Sequence, residues 1–240
     1  MATRRETPEG AAKRPPGLAA VTLFGALAEA DRAAVERQCR WRLYAAHEQI
    51  VDREAETRDV HFVATGTARI MIYTASGREV ALDDVEAGGF FGELAAFDGE
   101  PRSASVMAVC DSWIAALPAT RFLAMLEAHP AVSMEVMRRM SRIIRAATDR
   151  IVELSTLGAN NRVQAEVLRQ ALAAGADGDG RAVISPIPIH ADIASRVSTT
   201  RETVARVLND LARQGFLSRE RAGLVVHDVA RLELLVQDLT

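Results

Sequence analysis

The hydrophobic period of this chain changes along its length, and that change limits the folds open to it. Between Val60 and Leu117 the apolar residues come in short runs: Val60-His61-Phe62-Val63, Ala68-Arg69-Ile70-Met71-Ile72-Tyr73, Val80-Ala81-Leu82, Ala104-Ser105-Val106-Met107 and Trp113-Ile114-Ala115-Ala116-Leu117. Turn dipeptides stand between them: Thr65-Gly66, Ser76-Gly77, Gly88-Gly89 and Asp98-Gly99. Short strands at this spacing predict a small antiparallel sandwich or jelly-roll β-barrel from Trp41 to Leu117. After Pro118 the period becomes helical. Met137, Met140, Ile144, Ala147, Ile151 and Leu154 follow in steps of 3, 4, 3, 4 and 3. That is a heptad seam, and it predicts a long helix that pairs with a second copy of itself in parallel. Arg138, Arg139, Arg142, Arg145, Asp149, Arg150 and Glu153 occupy the other faces.

The flanks complete an α+β organisation. Leu18 to Arg40 reads as helical, with Leu23, Leu27 and Val35 on one side. Gly158-Ala159-Asn160-Asn161 reads as a hinge, Arg162 to Ala174 as a helix and Gly175 to Gly180 as a flexible loop. A strand is expected at Ala182–Ile187, then two short helices, His190–Val197 and Thr200–Gln214. Phe216-Leu217 and Leu224-Val225-Val226 can pair around Arg219-Glu220-Arg221-Ala222-Gly223. That is a helix-turn-helix followed by a wing. The expected domains are a disordered tail (1–17), a β-domain (18–130), a dimerisation helix with hinge (131–158) and a winged helix-turn-helix (159–240).

Composition removes several function classes. No apolar run reaches membrane-spanning length, and the N-terminus lacks a signal-peptide core. Cys39 and Cys110 stand far apart and in no Cys-x-x-Cys spacing, so neither a disulfide scaffold nor an iron–sulfur cluster is expected, and both read as small buried hydrophobes. The histidines are scattered, which argues against a metal site. No phosphate-binding P-loop or nucleophile–base pair points to an enzyme. The cytoplasm is the expected compartment. A net charge of −3 argues against general coating of nucleic acid but leaves room for a local reader.

One loop carries a small-molecule chemistry. In Phe91-Gly92-Glu93-Leu94-Ala95-Ala96-Phe97-Asp98-Gly99-Glu100-Pro101-Arg102-Ser103-Ala104, a glycine, a carboxylate, an arginine and a hydroxyl lie between strand-like segments. A cyclic nucleotide offers one phosphodiester charge, a ribose 2′-hydroxyl and a flat purine. Arg102 can meet the phosphate with a two-pronged fork, which lysine cannot. Ser103 adds a donor, and Gly92 lets backbone approach closely. Glu93 repels the phosphate and suits the ribose hydroxyl as an acceptor. Alone, Arg102 and Glu93 would pass for a surface ion pair, but the ordered string resembles the phosphate-binding cassette of the bacterial cyclic AMP receptor protein family, within the Crp/Fnr superfamily. The family's FGEL, spacer and RSA stand here as Phe91-Gly92-Glu93-Leu94 and Arg102-Ser103-Ala104.

The resemblance implies that Gly92, Glu93, Leu94, Arg102, Ser103 and Ala104 line the ligand site. It also implies that the purine lies against the long helix, where the family carries two adjacent hydroxyl residues. Here those positions hold Ala147 and Thr148; Thr148 keeps a hydroxyl and Ala147 does not. The missing hydroxyl at Ala147 opens the choice of base: cyclic AMP stays the first choice of effector, cyclic GMP is the alternative, and a ligand-independent regulator with a vestigial pocket is the third reading.

The second chemical motif is the string Ser198-Thr199-Thr200-Arg201-Glu202-Thr203-Val204. In a helix-turn-helix the second helix enters the major groove and its first turns reach base edges. Arg forks onto guanine and Glu accepts from cytosine. Arg201, Glu202 and Arg206 gather on one side, and Val204, Val207, Leu208 and Leu211 form the opposite stripe. The string resembles the same family's recognition-helix motif, G-x-S/T-R-E-T-V. By that resemblance Arg201, Glu202 and Arg206 read GC pairs of a TGTGA-like half-site. Ser198 replaces the usual turn glycine; a positive φ there costs on the order of 1 kcal/mol. Arg196, Thr199, Thr200 and the wing residues Arg219 and Arg221 are expected phosphate contacts. The resemblance spans about residues 20 to 230 and implies double-stranded DNA, a cyclic nucleotide, a second copy of the chain and RNA polymerase as partners, with no membrane.

Overall fold

Strands form at all five runs where the β-period predicts them, and with further short strands they assemble into two sheets. In the computed structural model, which describes residues 15–75 and 77–237, the chain divides into one unit through Arg142 and another from Ile143. The expected tail therefore lies outside the described residues except for 15–17. The first unit contains α1 (Glu29–Glu36), β1 (Arg40–Tyr44), β2 (Gln49–Val51), β3 (Val60–Val63), β4 (Thr67–Tyr73), β5 (Glu79–Glu86), β6 (Phe90–Phe91), α2 (Glu93–Asp98), β7 (Ser105–Ala108), β8 (Ser112–Leu117) and α3 (Ala119–Ala128). One four-stranded antiparallel sheet runs β1-β8-β3-β6 and the other β2-β7-β4-β5.

Val63, Phe91, Val106 and Ile114 belong to one buried apolar cluster, with Tyr44 and Val51. A second cluster joins Phe24, Phe62, Phe90, Leu117 and Phe122, and Phe24 meets Phe62 edge-on with ring centroids 4.8 Å apart. All four residues of β3 are buried, which explains why His61 and Val63 do not follow a polar-out alternation.

Two expectations need correction here. Leu18–Arg40 is not one helix: two 3-10 turns (Leu18–Ala20 and Thr22–Ala26) precede the short α1, and Arg40 opens β1. Leu18, Leu23 and Phe24 are buried at so close a spacing that tertiary packing decided the local form. Cys110 is exposed between β7 and β8, and Cys39 is only half-buried. The short β2 and β6 carry no alternation of their own, and pairing with β7 and β3 makes them strands.

α4 runs from Pro130 to Thr156 and continues through the division between the units. Proline at its first position costs no helical hydrogen bond. The first-unit end of α4 buries Val132 and Val136, while Met137, Ile144, Ile151 and Leu154 of the heptad stripe are exposed in the single chain.

The second unit adds α5 (Ala159–Ala174), β9 (Ala182–Ile184), α6 (His190–Arg196), α7 (Arg201–Arg213), β10 (Leu217–Arg219), β11 (Leu224–Val226) and α8 (Val229–Gln237). The break between α4 and α5 is shorter than the expected hinge, because Asn160 and Asn161 already lie in the first turn of α5. Val163, Val167, Ala171, Ile193, Val204, Leu211, Val226 and Leu232 form its core. β10, β11 and β9 make a small antiparallel sheet whose hairpin is the expected wing. α8 lies beyond the elements expected from the sequence, and Asp228 marks its start: the Asp228 side chain accepts from the Arg231 amide at 2.9 Å. Among the described residues, no helix is long and apolar enough to cross a membrane, and no group of three or more potential ligands could hold a metal ion.

Candidate functional site

The cassette folds back on itself around one buried guanidinium. Gly92 takes φ 87°, the left-handed conformation that ends β6 and starts α2. A Cβ at Gly92 would stand 2.5 Å from Arg102 Nη1 and 3.0 Å from the Asp59 carbonyl, so only glycine lets this arginine in. Arg102 is 4% exposed. It donates from Nη1 to the Gly92 carbonyl at 2.9 Å, from Nη2 to the Asp59 carbonyl at 2.6 Å and from Nε to Thr57 Oγ1 at 3.3 Å. A guanidinium has five N–H groups. Three are engaged, which leaves one on each terminal nitrogen. The backbone is pinned as well: the Arg102 amide donates to the Ala55 carbonyl at 3.1 Å and the Arg102 carbonyl accepts from the Glu54 amide at 2.9 Å.

Glu93 is equally buried, and its Oε2 has no hydrogen-bond partner. Burial pushes its carboxyl above the usual carboxylate range; the charges of Arg139 and Arg102 oppose that shift, and Asp83 adds to it. Burial also lowers the pKa of Arg102, while Asp59 and Glu93 act to raise it. The loop thus holds donors suited to an anion and an acceptor suited to a hydroxyl. Beside it, His61 of β3 stacks on Phe91 with ring centroids 5.0 Å apart and planes 4° from parallel. Burial, helped by the Arg102 charge, holds His61 neutral, its pKa down at about 3. A cavity of about 520 Å³ opens next to the loop and is lined by Glu56, Arg58, Gly99 and Pro101.

The remaining cassette residues are placed differently. Ala104 is buried just before β7, whereas Leu94 and Ser103 are exposed. Thr148 belongs to the second unit's stretch of α4; it is exposed, and its hydroxyl donates to the Ile144 carbonyl at 2.9 Å. Thr57 and Asp59 hold the arginine yet carry no signal in the sequence. Asp59 acts through a backbone carbonyl, which any residue type supplies.

The helix-turn-helix matches its predicted bounds to within about a residue at each end. Thr200 caps α7, its Oγ1 accepting from the Thr203 amide at 3.2 Å. Val204, Val207, Leu208 and Leu211 are buried, and Arg201, Glu202 and Arg206 are exposed on the other side. Arg206 also donates to Asn160 Oδ1 at 3.1 Å. Arg219 and Arg221 stand exposed on the wing, and Nη2 of Arg181 donates to both carboxylate oxygens of Glu220, at 3.0 and 2.9 Å, to brace it. Thr199 is buried, its amide donating to the Ala194 carbonyl at 3.0 Å, so its side chain offers little surface. Arg196 is half-exposed, with Glu166 at 4.0 Å.

Ser198 does adopt a left-handed φ of 53°. Its hydroxyl accepts from Arg150 at 3.2 Å, a contact glycine could not make. Arg162 donates to the Leu157 carbonyl at 2.7 Å, the Val197 carbonyl at 2.9 Å and the Ser198 carbonyl at 3.4 Å. One side chain therefore ties the α4–α5 break to the turn of the helix-turn-helix.

Comparison with known proteins matches residues 41–129 to the cyclic nucleotide-binding domain and residues 162–235 to the Crp-like helix-turn-helix domain. The cyclic AMP receptor protein of Thermus thermophilus is 30% identical over 199 residues, covering 80% of this chain and 86% of that protein. The chain belongs to the Crp/Fnr family. The cAMP-activated global transcriptional regulator CRP of Salmonella typhimurium is 24% identical over 192 residues, covering 79% of this chain and 90% of its own. Among solved structures, a mutant of CooA from Carboxydothermus hydrogenoformans has the same fold, with a TM-score of 0.76 at 20% identity, covering 90% of this chain and 95% of that one. As a Crp/Fnr protein it is a Crp-like transcription regulator with a cyclic nucleotide-binding domain and a DNA-binding domain, and it is not an enzyme.

Proposed function

We propose that this regulator is a homodimer switched by a cyclic mononucleotide, cyclic AMP before cyclic GMP, and that it reads a palindromic operator. Residues 18–130 would take the ligand, 131–158 would supply dimer contact and hinge, and 159–240 would read DNA. The observation that carries the reading is the pairing of a braced Arg102, with one N–H left on each terminal nitrogen, and a buried Glu93 with an open oxygen. The first suits the cyclic phosphate and the second the ribose 2′-hydroxyl. The relatives named as cyclic-AMP receptors or cAMP-activated regulators favour cyclic AMP. Ala147, lacking a hydroxyl beside Thr148, keeps cyclic GMP as the competitor.

The exposed stripe from Met137 to Leu154 suits self-pairing, since burying it in a parallel dimer removes apolar surface from water. A two-fold dimer sets two copies of α7 about one DNA turn, roughly 34–36 Å, apart, which calls for a palindromic site. Arg201, Glu202 and Arg206 would read bases; Thr200, Arg196, Arg219 and Arg221 would hold phosphates, with Thr199 contributing to the turn. Ligand can shift the protein toward its DNA-binding arrangement only by binding that arrangement more tightly. RNA polymerase is the proposed downstream partner, and the cytoplasm the proposed setting.

Calorimetric titration of the full chain with cyclic AMP and cyclic GMP in parallel tests the ligand. Binding of cyclic AMP at least about tenfold tighter, a difference of about 1.4 kcal/mol, is expected. Binding of neither, by folded protein free of carried-over nucleotide, would replace this reading with a ligand-independent regulator.

A further inference from the structure

α4 carries a buried charge that the cassette motif does not include. Arg139 sits on its first-unit stretch, with a side chain only 18% exposed. Its guanidinium lies over the Phe90 ring, 5.0 Å from the centroid, and Phe90 is two residues before Gly92. Its Nη2 is 3.6 Å from Asp83 Oδ2 on β5, a partner whose own side chain is 48% exposed. Nε and Nη2 of Arg139 are buried without a hydrogen-bond partner, and so is Oε2 of Glu93. Arg139 acts on Glu93 by charge, favouring the ionised carboxylate.

Two cations therefore influence Glu93, and they are not equivalent. Arg102 has three N–H groups tied to its own loop, and those that remain suit an anionic ligand. Arg139 has open donors and only a long, partly exposed pair with Asp83. A ligand hydroxyl that donates to one oxygen of Glu93 favours its ionised form. A buried carboxylate that must stay ionised, with its other oxygen open, demands a cationic partner. Resting on the pocket reading above, we propose that Arg139 is a positioning residue through which α4 responds to an occupied pocket, moving from Asp83 to the Glu93 carboxylate once the ligand hydroxyl has engaged it. The exchange replaces a partly solvated pair with a buried, charge-assisted one. It acts on the same helix that carries the heptad stripe.

The test is a double-mutant cycle on the full chain, read as cyclic AMP affinity by calorimetry, with thermal unfolding of each unliganded variant as a fold control. Arg139→Gln is expected to weaken binding about tenfold, a typical scale for one charge-assisted hydrogen bond. Arg139→Lys should recover part of that loss. In a Glu93→Gln background, which keeps an acceptor for the ligand but no charge, Arg139→Gln should have almost no further effect. An affinity unchanged by Arg139→Gln, or a loss of the same size with and without Glu93, would overturn the proposal while leaving the pocket reading intact. Failure of the unmutated chain to bind a cyclic nucleotide would remove both. If Arg139→Gln does not fold, Asp83→Asn decides the matter. Releasing Arg139 from its empty-pocket partner should tighten binding about threefold, and unchanged or weaker binding would overturn the proposal.

Discussion

The ligand cassette keeps its chemistry inside the protein, and the reading helix holds its chemistry outside. Arg102 and Glu93 are each 4% exposed, held by backbone carbonyls and a left-handed glycine. Arg201, Glu202 and Arg206 project into solvent from a helix whose buried stripe does the positioning. A small anion can be enclosed, so its site can be buried and its polar groups fixed in advance. A DNA groove cannot be enclosed, so its reader must be presented on a rigid face. The contrast implies that a substitution in the cassette disturbs folding and function together, whereas one on the exposed face of α7 separates them.

The largest expected effect comes from the hidden side of α7. Leu211→Ala should cost about 2–5 kcal/mol in denaturant unfolding, with loss of DNA binding following loss of the second unit's fold. A cost well under 1 kcal/mol would mean that the buried stripe does not hold the reader.

Next, Arg102→Leu should abolish measurable ligand affinity and also destabilise the first unit, because it leaves the Gly92 and Asp59 carbonyls without their donor. About 1–3 kcal/mol is the scale for leaving such buried groups unpaired. The variant is expected to remain folded and to sediment like the unmutated chain. Ligand affinity equal to that of the unmutated chain would detach the cassette from the pocket. On the exposed side, Arg201→Ala should weaken operator binding by about 1–3 kcal/mol with unfolding stability unchanged within about 0.5 kcal/mol. A matching fall in stability would erase the contrast between the regions.

His61 sharpens the comparison through pH. Its folded-state pKa of about 3 lies below its ordinary value of 6.5. Between these values the unfolded chain takes up a proton that the folded chain refuses, so stability falls as pH drops through that window. The slope from this one group is at most about 1.4 kcal/mol per pH unit. His61→Phe should flatten that part of the stability curve, and an unchanged curve would show that His61 is not held neutral. Glu93 works in the opposite sense: its raised pKa favours the folded state at low pH and loses that contribution as pH rises.

The smallest effect belongs to Ser198→Gly. Relief of the positive φ contributes on the order of 1 kcal/mol, offset by loss of the hydroxyl that accepts from Arg150. A net gain below about 1 kcal/mol is expected in thermal unfolding; a clear loss would show that the hydroxyl contact outweighs the strain.

Much of this was legible because local chemistry and tertiary structure agree. The cassette string names its own loop, since only glycine at position 92 admits Arg102. The α7 pattern names both its buried stripe and its exposed face, because a helix repeats with a period that sequence displays directly. Met137, Ile144, Ile151 and Leu154 of the α4 heptads are exposed, while Met140 packs on the first unit's core.

What the sequence withheld depends on partners far along the chain. Thr57 and the Asp59 carbonyl meet Arg102 across more than forty positions, and nothing in their own residue types announces it. Arg139 reads as one of several arginines off the seam, and only the packing of α4 over Phe90 makes it a buried charge that acts on Glu93. The first turns break into short 3-10 pieces because Leu18, Leu23 and Phe24 must all reach one core. The sequence by itself determined the strand-then-helix order, the residue types of the cassette loop and the exposed face of α7, all set by neighbours within a few residues. Tertiary structure alone decided which polar groups lost their water, because burial is a property of what packs against a residue rather than of the residue itself.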